Sequence, residues 1–99
     1  MFNATITELS RALSAKTISS AELTGLFLAR IERHNPRLNA FISVDAQRSL
    51  EQARAADARI ARGEAQPLTG IPIAHKDIFC ARGRLTTCGS RILANFLSP

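Results

Sequence analysis

Apolar side chains recur at helical spacing near the start of the chain, where "TITELSRALSA" alternates polar and apolar positions. Thr5 and Glu8 stand three residues apart, which is the spacing of a capping box at the beginning of a helix. The apolar positions that follow repeat every three or four residues. This pattern predicts a first helix over residues 6–15.

A second helical pattern follows almost at once. Ser19 and Glu22 repeat the capping-box spacing, and the apolar positions behind them recur every four residues along one face. The residue before Pro36 is disfavoured in the helical conformation. We therefore predict a second helix that ends at about His34.

A third helix is expected from Ala46 to about Arg62, with Asp45 as its N-cap and Gly63 at its C-terminal end. The segment is rich in Ala, Arg and Glu, and its apolar stripe is thin. A thin stripe buries little surface. We expect this helix to lie on the outside of the domain.

Two short apolar segments have the composition of strands: "LNAFISV" at residues 38–44 and "IPIAHKDIF" at residues 71–79. A short helix is expected at residues 90–96, with Ser90 as its cap. Helices between strands indicate the α/β class. Two strands do not form an independent sheet, so the fold is predicted to be incomplete in this chain.

The charge and composition exclude few classes of function. The chain has 99 residues and a net charge of +5, but its arginines are dispersed, which is typical of a solvated basic surface rather than of a nucleic-acid site. No signal peptide or membrane-length apolar run is evident, which favours a cytoplasmic protein without a membrane partner. Cys80 and Cys88 lack the spacing of a metal site, so free thiols and no bound metal are expected.

Lys76 is the residue whose chemistry needs an explanation. Of 13 basic side chains only Lys16 and Lys76 are lysines, and Lys76 lies within an apolar run. In a strand, side chains alternate between faces, which would place Lys76 among apolar neighbours and favour its neutral form. A neutral lysine is able to act as a general base for a serine hydroxyl, whereas arginine is not. The residues alone leave two alternatives open, namely a lysine that extends to solvent or one that pairs with a carboxylate.

The segment "GIPIAHKDIF" followed by "TTCGS" resembles the amidase signature family. The resemblance implies that Lys76 is the lysine of a Ser–cis-Ser–Lys triad, with Gly70, Ile71, Pro72 and Asp77 as the scaffold around it. His75 departs from the commonest pattern of the family, and we interpret it as a residue that packs or makes a structural hydrogen bond, with a base as the alternative. The family fold implies a mixed central sheet flanked by helices, of which residues 1–99 form the N-terminal part.

Cys88 and the "NFLSP" tail narrow the resemblance to the glutaminase subunits of the tRNA-dependent amidotransferases. It implies that a serine attacks the carboxamide of glutamine, that lysine and cis-serine relay the proton, and that the ammonia passes to a B subunit. The B subunit uses ATP and Mg²⁺ to convert misacylated Glu-tRNA(Gln) to Gln-tRNA(Gln), while a C subunit holds the complex together. No cofactor is implied for this chain itself.

The chain departs from the family in lacking the Gly/Ser-rich segment that carries both serines. The resemblance therefore implies that these 99 residues alone do not hydrolyse glutamine. Two other functions stay open. One is a stand-alone amidase that hydrolyses a small-molecule amide, and the other is a binding protein without catalytic activity.

Overall fold

A computed structural model of the protein describes residues 2–99. Three helices form in this part of the chain: α1 at Ile6–Ser14, α2 at Ser20–Leu38 and α3 at Ala46–Ala61. Residues 62–99 follow as turns and irregular chain. None of the helices described has the length and apolar character needed to cross a membrane.

The predicted capping box at the start of α1 is confirmed. The Thr5 hydroxyl accepts a hydrogen bond from the Glu8 N–H at 3.2 Å, and the Glu8 carboxylate accepts one from the Thr5 N–H at 2.7 Å. These bonds satisfy two backbone donors that the first turn of a helix would otherwise leave free. The helix buries Leu9 and Leu13 on its apolar face.

The core of the described chain lies where α1 meets the beginning of α2. Its buried side chains are Leu9, Leu13, Ile18 and Leu23. Partly buried apolar side chains pack against this cluster, among them Phe27, Ile60 and Ile71. Because Ile60 comes from α3 and Ile71 from the chain beyond it, the core joins all three helices to the beginning of the lysine segment.

The second helix is one turn longer than predicted. It runs through Pro36 to Leu38 and ends at Asn39, whose backbone is left-handed. Proline here removes only one hydrogen bond, in the last turn, and its fixed φ suits a helix. The Asn35 side chain holds the chain that follows the helix, since it accepts from the Phe41 N–H at 2.8 Å and donates to the Phe41 carbonyl at 3.0 Å.

The third helix agrees with its prediction. Asp45 is the N-cap, and its carboxylate accepts a hydrogen bond from the Arg48 N–H at 3.0 Å. Ala53 is the residue of α3 that is buried. The thin apolar stripe therefore lies as expected, with most of the helix surface facing solvent.

The structure does not show the predicted strands, so residues 2–99 contain no sheet and the α/β prediction is not met in them. A strand is stable only when a neighbouring strand takes up its hydrogen bonds. Residues 38–44 and 71–79 do not pair with each other, and the described chain has a single isolated bridge, between Leu85 and Leu97.

The helix predicted at residues 90–96 is also wrong. This segment forms successive turns, with hydrogen bonds from Leu93 to Ser90 and from Phe96 to Leu93. Seven residues are too few for a stable helix without packing, and Ile92 is 93% exposed. The Ser90 hydroxyl does accept a hydrogen bond from the Ile92 N–H at 3.2 Å, so the local capping contact exists without the helix.

Candidate active site

The lysine segment begins at a fixed point on the helices. The buried Ser20 donates its hydroxyl hydrogen bond to the Gly70 carbonyl at 2.7 Å. Gly70 has a φ of +84°, and a Cβ at this position would lie 3.1 Å from the Ser20 Cβ and Oγ. Glycine is therefore required here both for its backbone conformation and for the close approach of the serine.

The next two residues hold the segment against the core. Ile71 packs on the buried cluster, and its N–H donates to the Leu68 carbonyl at 3.2 Å. Pro72 has a fixed φ and therefore restricts the direction of the chain that follows. Both residues are among the scaffold positions that the family resemblance implies around Lys76.

Lys76 itself is exposed, which corrects the expectation of a lysine buried among apolar neighbours. The side-chain alternation of a strand is absent, since a turn begins here with a hydrogen bond from the Phe79 N–H to the Lys76 carbonyl at 3.1 Å. Lys76 lies on the wall of a groove between α2 and residues 71–79. Among residues 2–99, no serine hydroxyl is hydrogen-bonded to its ammonium group.

Asp77 fixes the backbone immediately after the lysine. Its carboxylate accepts from the Thr87 hydroxyl, from the Thr87 N–H at 3.1 Å and from the Gly89 N–H at 3.4 Å. Its carbonyl accepts from the Cys88 N–H at 2.9 Å, and Cys88 adopts a φ of +50° within that turn. The carboxylate thus joins the lysine segment to the "TTCG" turn.

These contacts also set the acidity of Asp77. The Thr87 hydroxyl, and after it the Thr87 backbone N–H, hold the pKa of the Asp77 carboxyl below its ordinary value of 3.8. Hydrogen bonds to the charged form favour that form. Asp77 is therefore an anion that organises its neighbours.

His75 contacts Phe79 on the far side of the turn. The two rings meet edge to face with centroids 5.7 Å apart, and His75 Nε2 lies 3.3 Å from the Phe79 carbonyl oxygen. The contact is local and spans four residues. It gives His75 a structural partner within the turn that follows Lys76.

The chain beyond the turn is held to α3 and to itself. Arg48 donates from its guanidinium group to the carbonyls of Arg82 and Gly83, at 3.1 and 3.0 Å. Further along, the buried hydroxyls of Thr86 and Ser98 are hydrogen-bonded at 2.6 Å. The Arg48 contact keeps the region after Lys76 close to α3, and the bond between Thr86 and Ser98 joins two parts of that region to each other.

The cysteines and acidic groups do not assemble a metal site within residues 2–99. Cys80 and Cys88 are free and exposed. No group of three or more potential ligands comes together in the part of the chain that is described.

Three long-range contacts in the structure were not foreseen from the sequence. The first is the hydrogen bond from the Ser20 hydroxyl to the Gly70 carbonyl. The second is the pair of hydrogen bonds that the Asp57 carboxylate accepts from the N–H groups of Ser20 and Ala21. The third is the pair of hydrogen bonds from the Arg48 guanidinium group to backbone carbonyls. Each joins residues more than 30 positions apart. No local pattern signals such a pair.

Residues 22–99, which include the "GIPIAHKD" segment and the turn that Asp77 anchors, match the Amidase family model. The chain belongs to the amidase family.

Curated relatives match over the whole of this chain. The A subunit of glutamyl-tRNA(Gln) amidotransferase from Dechloromonas aromatica is 68% identical over 99 residues, and its counterpart from Azoarcus sp. (strain BH72) is 62% identical. The counterpart from Chromobacterium violaceum is 54% identical over the same length. These matches cover 100% of this chain and about 20% of the length of each relative.

Proposed function

We propose that this chain is the N-terminal, lysine-bearing part of a single amidase domain that supplies ammonia from glutamine for the amidation of Glu-tRNA(Gln). The observation that carries the proposal is the position of Lys76. It lies in a Gly-Ile-Pro…Lys-Asp segment inside the amidase match, in a chain that is 54–68% identical to glutamyl-tRNA(Gln) amidotransferase subunits. We use the term full-length protein for the polypeptide of the relatives' length that contains these residues.

In the proposed reaction, Lys76 in its neutral form takes up a proton through a cis-serine while a second serine attacks the carboxamide carbon of glutamine. The tetrahedral intermediate is stabilised by backbone N–H donors. It collapses to an acyl-enzyme as the C–N bond breaks and the returning proton leaves with ammonia. Water then attacks the acyl-enzyme, releases glutamate and restores the serine.

Both serines are assigned to a part of the full-length protein beyond these residues. Several serines present here have structural partners instead: Ser19 caps α2, Ser20 binds Gly70, and Ser98 binds Thr86. An exposed Lys76 on the wall of a groove is open to contact from another part of the polypeptide. Strands from that part would also complete the mixed sheet that residues 2–99 do not form alone.

The proposed partners follow from the names of the relatives and the family resemblance. They are a B subunit that activates the glutamyl group of misacylated tRNA with ATP and Mg²⁺, and a C subunit that holds the complex together. We propose a cytoplasmic location for this complex, where tRNA charging takes place. This chain contributes to glutamine hydrolysis and needs no cofactor of its own for that step.

The test is ammonia release from glutamine by the purified full-length protein, with and without the partner subunits. Lys76→Ala removes the base and is expected to lower kcat by at least about 100-fold while the protein stays folded. Lys16→Ala is the matched control, because it removes the other lysine at an exposed helix end.

Two outcomes contradict the proposal. One is a Lys76→Ala variant that hydrolyses glutamine at the rate of Lys16→Ala. The other is a wild-type protein that hydrolyses a different small-molecule amide and leaves glutamine intact, which would identify a stand-alone amidase.

A further inference from the structure

Ser20 joins three parts of the chain at one buried point. Its backbone N–H donates to the Asp57 carboxylate of α3 at 2.6 Å, and its side chain donates to the Gly70 carbonyl at 2.7 Å. The residue is only 1% exposed. A buried hydroxyl with a good acceptor at short distance holds its geometry closely, because either group would be costly to leave without a partner.

The neighbouring Ser19 serves the helix alone. Its hydroxyl accepts a hydrogen bond from the Glu22 N–H at 3.0 Å, which is the usual bond of an N-cap. Asp57 adds a second cap from outside, since it also accepts from the Ala21 N–H at 3.1 Å. The beginning of α2 is therefore capped without any contribution from the Ser20 side chain. The Ser20 hydroxyl instead donates its hydrogen bond to the Gly70 carbonyl.

Gly70 is the point where the lysine segment leaves the helices. Lys76 follows six residues later, after a half-buried Ile71 and the restricted Pro72. Because Pro72 restricts the backbone between the two residues, a rotation at Gly70 would change the direction in which the chain runs towards Lys76. The Ser20 hydroxyl is the side-chain group that fixes the Gly70 carbonyl.

We propose that Ser20 is a positioning residue for Lys76, acting through the Gly70 carbonyl to set where the lysine segment leaves the helical core. This inference rests on the proposed glutaminase function, in which Lys76 is the base. Ser20 contacts neither substrate nor the reacting serines. Its effect is on the alignment of the base with the hydroxyl that it serves, and misplacement of a catalytic group by about 1 Å has a large effect on rate.

The experiment compares Ser20→Ala with Ser19→Ala in the full-length protein, at a temperature where thermal unfolding shows that both are folded. Each variant removes one serine hydroxyl at the same helix end, but only Ser20→Ala frees Gly70. We expect kcat for glutamine hydrolysis to fall at least about 10-fold in Ser20→Ala. We expect KM to stay within about 2-fold of the wild type, since the contact acts on the base and not on substrate binding.

Gly70→Ala tests the same contact from its other side. The added Cβ would lie 3.1 Å from the Ser20 side chain in a backbone conformation that is strained for alanine, so the contact between the two residues has to shift. We expect the same selective loss of kcat, and this variant decides the question in the event that Ser20→Ala does not fold.

The outcomes separate the two proposals. A wild type that hydrolyses glutamine, together with an inactive Lys76→Ala and a Ser20→Ala whose kcat equals that of Ser19→Ala, overturns the positioning role alone. A Lys76→Ala variant that keeps its activity overturns the glutaminase proposal and this inference with it. A fall in kcat for Ser20→Ala but not for Ser19→Ala supports the positioning role.

Discussion

At the scale of single residues, hydrogen bonds from two threonines lower the pKa of two carboxyl groups. The backbone N–H and then the hydroxyl of Thr5 lower the pKa of Glu8, while the hydroxyl and then the N–H of Thr87 lower the pKa of Asp77. The first pair begins a helix, and the second anchors the turn beside Lys76. The same chemistry thus serves local structure in one place and the candidate site in the other.

The lowered pKa of Asp77 gives the turn a defined pH dependence. A carboxyl whose folded pKa is depressed adds stability above its unfolded pKa of about 3.9 and loses that contribution as the pH falls through the folded pKa. We therefore expect the contact of Asp77 with the turn at Thr87 and Gly89 to be fully formed at neutral pH and to weaken as the pH falls below the unfolded pKa.

Removal of the Thr87 hydroxyl tests this account. Thr87→Val keeps the shape of the side chain but takes away the first cause of the shift, so the pKa of Asp77 is expected to rise towards 3.8. Carbon-13 NMR titration of labelled carboxyl groups measures it. Thr5→Val is the control, since it should raise the pKa of Glu8 and leave that of Asp77 in place. An Asp77 pKa unchanged by Thr87→Val would contradict the assigned hydrogen bond.

At the scale of helices, α1 and α3 end in the same way with different residues. In α3, Gly63 has a φ of +73°, and the N–H groups of Gly63 and Glu64 donate to Ile60 and Arg59. This is a Schellman motif. In α1, Lys16 occupies the equivalent left-handed position with a φ of +58°. A lysine in this conformation is strained, whereas a glycine is not.

We therefore expect Lys16→Gly to increase the free energy of unfolding by about 0.5–1 kcal/mol, the strain relieved less the extra freedom of glycine in the unfolded chain. Gly63→Ala should lower it by a similar amount. Denaturant unfolding measures both. Ala15→Gly is the control, because Ala15 is right-handed with a φ of −77° and gains nothing from glycine. A loss of stability in Lys16→Gly equal to that in Ala15→Gly would contradict the role of the left-handed position.

The helices could be predicted because their signals are local. The bond between Thr5 and Glu8 spans three residues, as do the caps at Ser19 and Asp45. The end of α2 was placed too early because the residue before a proline is usually not helical, whereas here the helix continues to Leu38 and the Asn35 side chain bonds back to Phe41. The predicted end of a helix is wrong where contacts outside the local sequence pattern determine it.

At the scale of the whole molecule, the decisive contacts join distant residues. Ser20 meets Asp57 across 37 positions and Gly70 across 50, and neither pair leaves a periodic signal in the sequence. The strand predictions failed for the same reason, since a strand depends on a partner elsewhere. Apolar side chains such as Ile73, which is 81% exposed, lie unpaired in residues 2–99.

The sequence pointed to Lys76 as the candidate base, a role that stays a prediction, but it did not give the surroundings of that residue. The scarcity of lysine drew attention to Lys76, and the family resemblance gave it a role. Its predicted burial depended on strand alternation, and the structure has it exposed on a groove wall. In the proposed mechanism, the surroundings that favour a neutral lysine come from the rest of the full-length protein.

The most direct measurement of the central claim is glutamine hydrolysis by a full-length Lys76→Arg variant. Arginine keeps the positive charge and most of the length of the side chain but does not become a neutral base. The account predicts that kcat falls at least about 100-fold, close to the value for Lys76→Ala, while Lys16→Arg keeps wild-type activity. A Lys76→Arg protein that hydrolyses glutamine at nearly the wild-type rate would show that the position needs only charge, and would contradict the role of Lys76 as the base.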